Sequence, residues 1–423
     1  MPTIAYLANL FPATTESYIG DEIRELRKRG ILVVPCSIRQ SAHASDQTLD
    51  SWVPQTIYLQ PVHVTVLLQA AWLCLREFTC LKKLLWRVLL PGNPSLSKRV
   101  RTLAHTFFGA YYAVVLRKFS VCHIHVHHGY FGSWVAMVAA RLLGIEFSMT
   151  LHGSDLLVHP AYLDLKLELC QFCVTISEFN RRHILDHYPE VDPRKIVVQR
   201  LGVDCGENTP PTLQEKHDPF SLGMLTAGRL HPVKNHAFLV RACRLLKDRG
   251  LNFHCLIAGD GCERPALQQL IDAFELQSEV RLIGQIPRED MCDYYDSADL
   301  VVITSRSEGI PLVLMEAMAR GKLVLAPAIT GIPELVSDGE TGFLYCPGAL
   351  QDFVARVETI NRSRSSLGRV RRAARKHVIE HYNRQANLAA FCDHLVASLA
   401  LKPNSATSNL HDQRILYENP VLQ

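Results

Sequence analysis

Short apolar runs alternate with helical periodicity along most of this chain. Ile4 to Ala8 reads as a strand, Thr15 to Arg29 as a helix closed by Gly30, and Ile31 to Cys36 as the next strand. From about Pro61 to Phe119 the pattern turns long, apolar and basic. Strands then resume at Val121 to Val126, Glu146 to Leu151, Phe172 to Ile176 and Lys195 to Val198. A second series comes next, with strands at Phe220 to Ala227, Phe253 to Ala258, Val280 to Ile283, Leu300 to Thr304 and Leu323 to Ala326. The helices between them cover His236 to Arg249, a stretch from about Arg264, Arg288 to Ser297, and Pro311 to Arg320. Alternation of this kind predicts an α/β protein with parallel sheets covered by helices on both faces, wound twice in tandem.

The periodicity fails at Cys205 to Pro219, where prolines and charges gather, so residues 205–219 read as a linker between domains spanning 1–204 and 220–385. Two last helical patterns lie within Ser365 to Leu401. Residues 386–401 are expected to form a C-terminal helix packing back on the first domain, and 402–423 a disordered tail.

Composition narrows the function classes. With 423 residues, 48% hydrophobic and 20% charged, the chain is ordinary globular material, too long for one core. A net charge of +4 does not announce nucleic acid, but the charge is unevenly spread. Between Trp52 and Ile145 Glu77 is the lone carboxylate, against Arg76, Lys82, Lys83, Arg87, Lys98, Arg99, Arg101, Arg117 and Lys118. The apolar residues of this stretch (Leu67, Leu68, Trp72, Leu75, Leu84, Leu85, Trp86, Leu89) are spaced for amphipathic helices. These either cover the first sheet or form an interfacial surface for anionic lipid. Thirteen scattered cysteines without framework spacing imply a reducing compartment, and Cys170 and Cys173 read as core rather than half a zinc site. No signal peptide and no run of about 18 apolar residues is seen, so a cytoplasmic location, with peripheral attachment to the membrane's inner face, is expected.

In a doubly wound sheet, ligands bind beyond the carboxyl ends of the strands. There this chain places Gly228-Arg229 to Lys234-Asn235, Gly259-Asp260-Gly261, Ser305 to Pro311, and Gly331 to Glu334. Arg229 and Lys234 suit a leaving diphosphate; Gly228, Gly259 and Gly309 would let backbone approach phosphates; Pro311 fits the first position of a helix whose free N–H groups favour an anion. Glu316 lies in an otherwise apolar helix and must find partners such as ribose hydroxyls. In the first half, His125, His127 and His128 end one strand and His152-Gly-Ser-Asp155 ends the next. No carboxylate stands beside the histidines at ligand spacing, so a metal is not expected.

The run Glu308-Gly-Ile-Pro-Leu-Val-Leu-Met-Glu316, with Gly228-Arg229 to Lys234 and His152 to Asp155, resembles glycosyltransferase family 4, retaining enzymes of the GT-B fold, over Ile4 to roughly Asn387. The resemblance implies two Rossmann-like domains facing a central cleft, a nucleotide-sugar donor and no cofactor or metal. It puts Arg229 and Lys234 on the donor diphosphate, Glu316 on the ribose, Glu308 and His152 at the donor sugar, and Val280 to Ile286 at the base. Gly228, Gly259, Ile286, Gly309, Ile310, Pro311 and Leu312 complete the donor surface, and Glu16, Ser17, Tyr18, His127 and Asp155 are expected on the acceptor side. Where many members carry a glycine-rich loop after the first strand, this chain has Asn9 to Glu22, a version similar to the branch that builds exopolysaccharides such as colanic acid. Hexosyl transfer from UDP- or GDP-hexose to a glycan or lipid-linked acceptor is the expected activity, with no nucleic-acid partner. A same-fold phosphorylase or sugar-phosphate synthase, or a non-catalytic nucleotide-sugar binding subunit, are the alternatives.

Overall fold

The computed structural model describes residues 1–13, 16–40, 51–89, 95–158, 160–205 and 221–400. Nearly all of the expected linker, the expected tail, and Thr14 and Thr15 of the first loop lie outside them. The chain divides into two compact units, one of residues 1–176, 181–199 and 388–423, the other of 177–180 and 200–387.

The first unit holds a seven-stranded parallel sheet: β1 (Thr3–Leu10), β2 (Leu32–Arg39), β3 (Ile57–Tyr58), β4 (His123–His127), β5 (Glu146–Leu151), β6 (Cys173–Thr175) and β7 (Ile196–Val198), in the order β3-β2-β1-β4-β5-β6-β7. The order reverses between β1 and β4, which opens a crevice at their carboxyl ends. Helices Val64–Arg76, Phe78–Leu89 and Leu96–Leu116 fill the basic, apolar stretch. Their inner residues Leu73, Leu81, Leu84 and Val88 join the core beneath the sheet, so the covering role expected for them is real. Their outer residues are a different set: Leu68, Trp72, Leu75, Phe78, Trp86 and Leu89 stay exposed, both tryptophans at 65%. Leu96–Leu116 packs against Phe131–Leu143 at Gly109, where a Cβ would come 2.6 Å from the Val138 Cβ. The last helix, Arg384–Ala400, delivers Phe391, Cys392 and Leu395 into a cluster with Ile4, Tyr6 and Ile23. Among the described residues no single helix is long and apolar enough to cross a membrane; Val64–Arg76 and Phe78–Leu89 together approach that composition but bend by 89° at their junction.

The second unit holds six parallel strands: β8 (Leu222–Ala227), β9 (Phe253–Ala258), β10 (Val280–Gly284), β11 (Leu300–Val302), β12 (Leu323–Pro327) and β13 (Phe343–Tyr345), ordered β10-β9-β8-β11-β12-β13. Its switch point lies between β8 and β11. The sequence pattern misses β3, β13 and the helix Leu350–Ser363, and starts the helix Met291–Ser297 three residues early, at Arg288. The two missed strands are two and three residues long, too short for alternation to register.

Candidate functional site

Both switch points carry clusters of polar side chains. In the second unit the loops after β8 and β11 meet through Lys234 and Glu308. Lys234 Nζ donates to Glu308 Oε1 at 2.6 Å, and Ser305 Oγ donates to the same oxygen at 2.5 Å. Thr304 Oγ1 donates to the carbonyls of Lys234 and Asn235, and Thr330 Oγ1 to that of Glu308 at 2.6 Å, so hydroxyls pin both loops. Asn235 takes a left-handed conformation (φ 55°) to start the helix His236–Asp248. Arg229 is exposed on the same loop.

The glycines here have a more local reason than phosphate access. At Gly259 (φ 133°) a Cβ would stand 2.0 Å from the Gly228 carbonyl oxygen, and at Gly261 one would stand 2.4 Å from that of Leu230. The β8 and β9 loops are thus packed backbone on backbone, which by itself requires glycine at 259. At Gly228 an added Cβ would only reach the Lys234 stem at 3.7 Å, an ordinary contact. Gly309 holds a close approach of its own, its carbonyl 2.5 Å from where a Gly331 Cβ would sit. Pro311 precedes the helix Leu312–Ala319 as its cap rather than opening it, while Ile310 is buried and Leu312 and Ile286 are half-buried in the cluster around that helix. Glu316 accepts from Tyr295 Oη at 2.7 Å, and burial raises its pKa despite that bond. Its partner inside the protein is this tyrosine, brought by Met291–Ser297 and invisible to a linear motif.

In the first unit the structure gathers Glu16, Tyr18, His127, His152 and Asp155, and adds Tyr6, Glu22 and His128. His127 is fully buried; its Nε2 lies 2.9 Å from Glu22 Oε2 and its Nδ1 3.0 Å from His152 Nε2. Tyr6 Oη donates to Glu22 Oε2, and the Tyr18 ring centroid lies 4.9 Å from that of His152. Ser17 opens the helix that carries Tyr18 and Glu22. Burial and the neighbouring His128 push His127 down to about 3, and burial and the surrounding histidines hold His152 well below its ordinary value. Glu22 is pushed up to about 8 by burial.

Asp155 is fully buried, and its carboxylate accepts from the backbone N–H groups of Gly129 (2.8 Å), His152 (3.1 Å) and Gly153 (2.8 Å). Its carboxylate holds the turn that follows β5. His128, in a left-handed conformation (φ 70°), has Nε2 at 3.1 Å from Glu16 Oε1 and Nδ1 at 3.7 Å from Asp155 Oδ2. Burial opposes its charged form, but the two carboxylates outweigh burial and raise it to about 10, an imidazolium across the physiological range. Beneath lies Lys166, fully buried, donating to the carbonyls of Gly129 and Tyr130 at 2.9 and 3.0 Å; burial lowers it to about 7.

The expectation that no carboxylate stands near the histidines is also corrected. Glu22, His125 and His127 bring ligand-type atoms within 4.8 Å of one another. Yet both ring nitrogens of His125 are engaged, Nδ1 by Ser148 Oγ at 2.8 Å and Nε2 by Thr150 Oγ1 at 3.1 Å, and those of His127 by Glu22 and His152. The donor set is that of a satisfied hydrogen-bond network, and a cation would have to displace it.

Residues 15–207 match the family described as Glycosyltransferase Family 4, and 214–377 that described as Glycosyl transferases group 1. Over 201 residues the chain is 34% identical to WcaL of Salmonella typhimurium, a protein named for colanic acid biosynthesis, covering 46% of this chain and 49% of that protein. AmsK of Erwinia amylovora, an amylovoran biosynthesis glycosyltransferase, is 29% identical over 240 residues, 49% of this chain and 58% of AmsK. The chain spans about half the length of these curated relatives. Among solved structures, the sucrose-phosphate synthase of Thermosynechococcus elongatus superposes with a TM-score of 0.73 at 17% identity, over 95% of this chain and 100% of that one. HepE of Anabaena, in complex with UDP, gives 0.68 at 16%, over 94% and 100%. At such identities the likeness is one of fold, two parallel-sheet α/β domains of the GT-B type.

Proposed function

Because this chain belongs to the glycosyltransferases of family 4 and group 1, we propose that it transfers a hexose, with retention, from UDP- or GDP-hexose to a glycan or lipid-linked acceptor in exopolysaccharide biosynthesis. The observation that carries the reading is the Lys234–Glu308 pair at the second switch point, a cation and a carboxylate fixed by hydroxyls where a doubly wound sheet binds its ligand. Lys234 and Arg229 neutralise the departing diphosphate, Glu316 meets the ribose, and Glu308 and His152 hold the donor sugar. The acceptor hydroxyl attacks the anomeric carbon on the face from which the diphosphate leaves. The bond from that carbon to the diphosphate oxygen breaks, and the acceptor's proton passes to the leaving phosphate, so no protein nucleophile is needed. Cationic side chains replace a metal. We assign the reaction to the cytoplasm, a reading that the thirteen cysteines, scattered without the spacing of a disulfide framework, support.

Membrane attachment is part of the same reading. The exposed Trp72, Trp86, Leu68, Leu75 and Leu89 lie on the helices that also expose Lys82 and Lys83. Arg76 and Arg87 contribute less, being paired with Glu77 and Asp164. We assign this face to an anionic lipid surface.

The test is a thermal-shift panel with UDP-, GDP- and ADP-hexoses, then transfer assays and determination of the product's anomeric configuration. Stabilisation by one UDP- or GDP-hexose and retention are expected; inversion, or no shift with any donor, defeats the proposal. Activity should survive EDTA, and loss restored by manganese or magnesium would refute metal independence.

A further inference from the structure

We propose that Glu22 and His127 are positioning residues that fix the tautomer and ring orientation of His152. The inference rests on the proposed function, in which His152 meets the donor sugar. Three groups from three elements form one line: Glu22 on the helix Ser17–Lys28, His127 at the end of β4, and His152 just past β5. The contacts are 2.9 Å from Glu22 Oε2 to His127 Nε2 and 3.0 Å from His127 Nδ1 to His152 Nε2. Glu22 and His127 are buried, and the His127 and His152 rings stack at 24° with centroids 5.3 Å apart. Asp155 anchors the His152 backbone, the Tyr18 and His128 rings flank its ring, and His127 supplies the hydrogen bond at Nε2.

A neutral imidazole carries one N–H and one lone pair, so a line of this kind has two proton arrangements. With Glu22 ionised, it accepts from His127 Nε2–H; His127 Nδ1 then accepts from His152 Nε2–H, and His152 Nδ1 keeps a lone pair. With Glu22 protonated, its O–H donates to His127 Nε2, His127 Nδ1–H donates to His152 Nε2, and His152 Nδ1 carries the hydrogen. In both arrangements the two rings bear hydrogen on the same ring position, and Glu22 selects which. Burial keeps both rings neutral, as the line requires. Without Glu22, His127 Nε2 keeps Tyr6 Oη at 3.2 Å, a hydroxyl that donates or accepts equally well, and the selection is lost.

The experiment is ¹⁵N–¹H NMR of the full chain with ¹⁵N-labelled histidine, in wild type, Glu22→Met and His127→Phe, beside donor kinetics. Wild type should show matching tautomers at His127 and His152. In both variants His152 should move toward tautomer-averaged shifts, with kcat down about tenfold, the size of one lost oriented hydrogen bond, while KM for the nucleotide-sugar stays within about twofold, since neither residue touches the donor. Opposite tautomers in wild type, an unchanged His152 spectrum in folded variants, or a stoichiometric metal bound at His127 would overturn the proposal. If neither variant folds, the wild-type pattern alone decides. The spectra do not depend on turnover: absence of transfer with every donor would defeat the glycosyltransferase reading, whereas turnover with mismatched tautomers would defeat this one alone.

Discussion

Replacing Lys234 by methionine keeps the side-chain stem and removes the ammonium that lies 2.6 Å from Glu308. The change has two effects of different size. The ion pair is part-buried, with side-chain exposures of 26% and 11%, so its net worth to the fold lies between that of a surface pair and that of a buried one. Ser305 still donates to the Glu308 carboxylate, which limits the loss to about 1–2 kcal/mol, or a few degrees in Tm for a unit of this size. On the donor the loss is larger, because a charge-assisted contact to a diphosphate is worth about 1.5–3 kcal/mol, which corresponds to roughly 10- to 150-fold in UDP affinity and in kcat/KM. Calorimetric titration with UDP and transfer kinetics on a variant whose fold is verified by circular dichroism measure this. Lys234→Arg should recover part of the loss, since charge is retained and the geometry is not. A folded Lys234→Met protein with wild-type UDP affinity and kcat/KM would remove Lys234 from the diphosphate site.

Gly259→Ala should unfold the second unit's loops at lower denaturant, costing about 2–4 kcal/mol, because the new Cβ would meet the Gly228 carbonyl at 2.0 Å on a backbone of φ 133°; an unchanged urea midpoint contradicts this. Lys166 is lowered to about 7 by burial, so between pH 7 and 10.5 the unfolded chain binds the extra proton and wild type should gain stability over Lys166→Met as pH rises, by at most about 1.4 kcal/mol per unit. Urea titrations at pH 7, 8 and 9 check the sign, and a flat difference refutes it. The protein should float with vesicles containing phosphatidylglycerol, be released by high salt, and lose binding when Lys82 and Lys83 become Glu; equal recovery with neutral vesicles, or none, would leave those helices as cover for the core.

Periodicity and punctuation were enough to determine where the longer strands of both sheets and many of the helices between them run, though not the helix Leu350–Ser363, because each element must bury one face, and burial writes itself into local spacing. The loops bearing Lys234, Glu308 and His152 were legible for the same reason: once the strands are placed, the residues just past their carboxyl ends are placed with them. Tertiary structure alone decided what those side chains touch. Glu22 sits 105 positions from His127 and Tyr295 sits 21 from Glu316, and no local pattern encodes either contact. Likewise the Asp155 carboxylate accepts from backbone N–H groups, and Glu16 and Asp155 close on His128 and raise its pKa. Hydrophobic spacing is a property of neighbours in sequence, whereas hydrogen-bond partnership and charge state are set by which elements pack together in space.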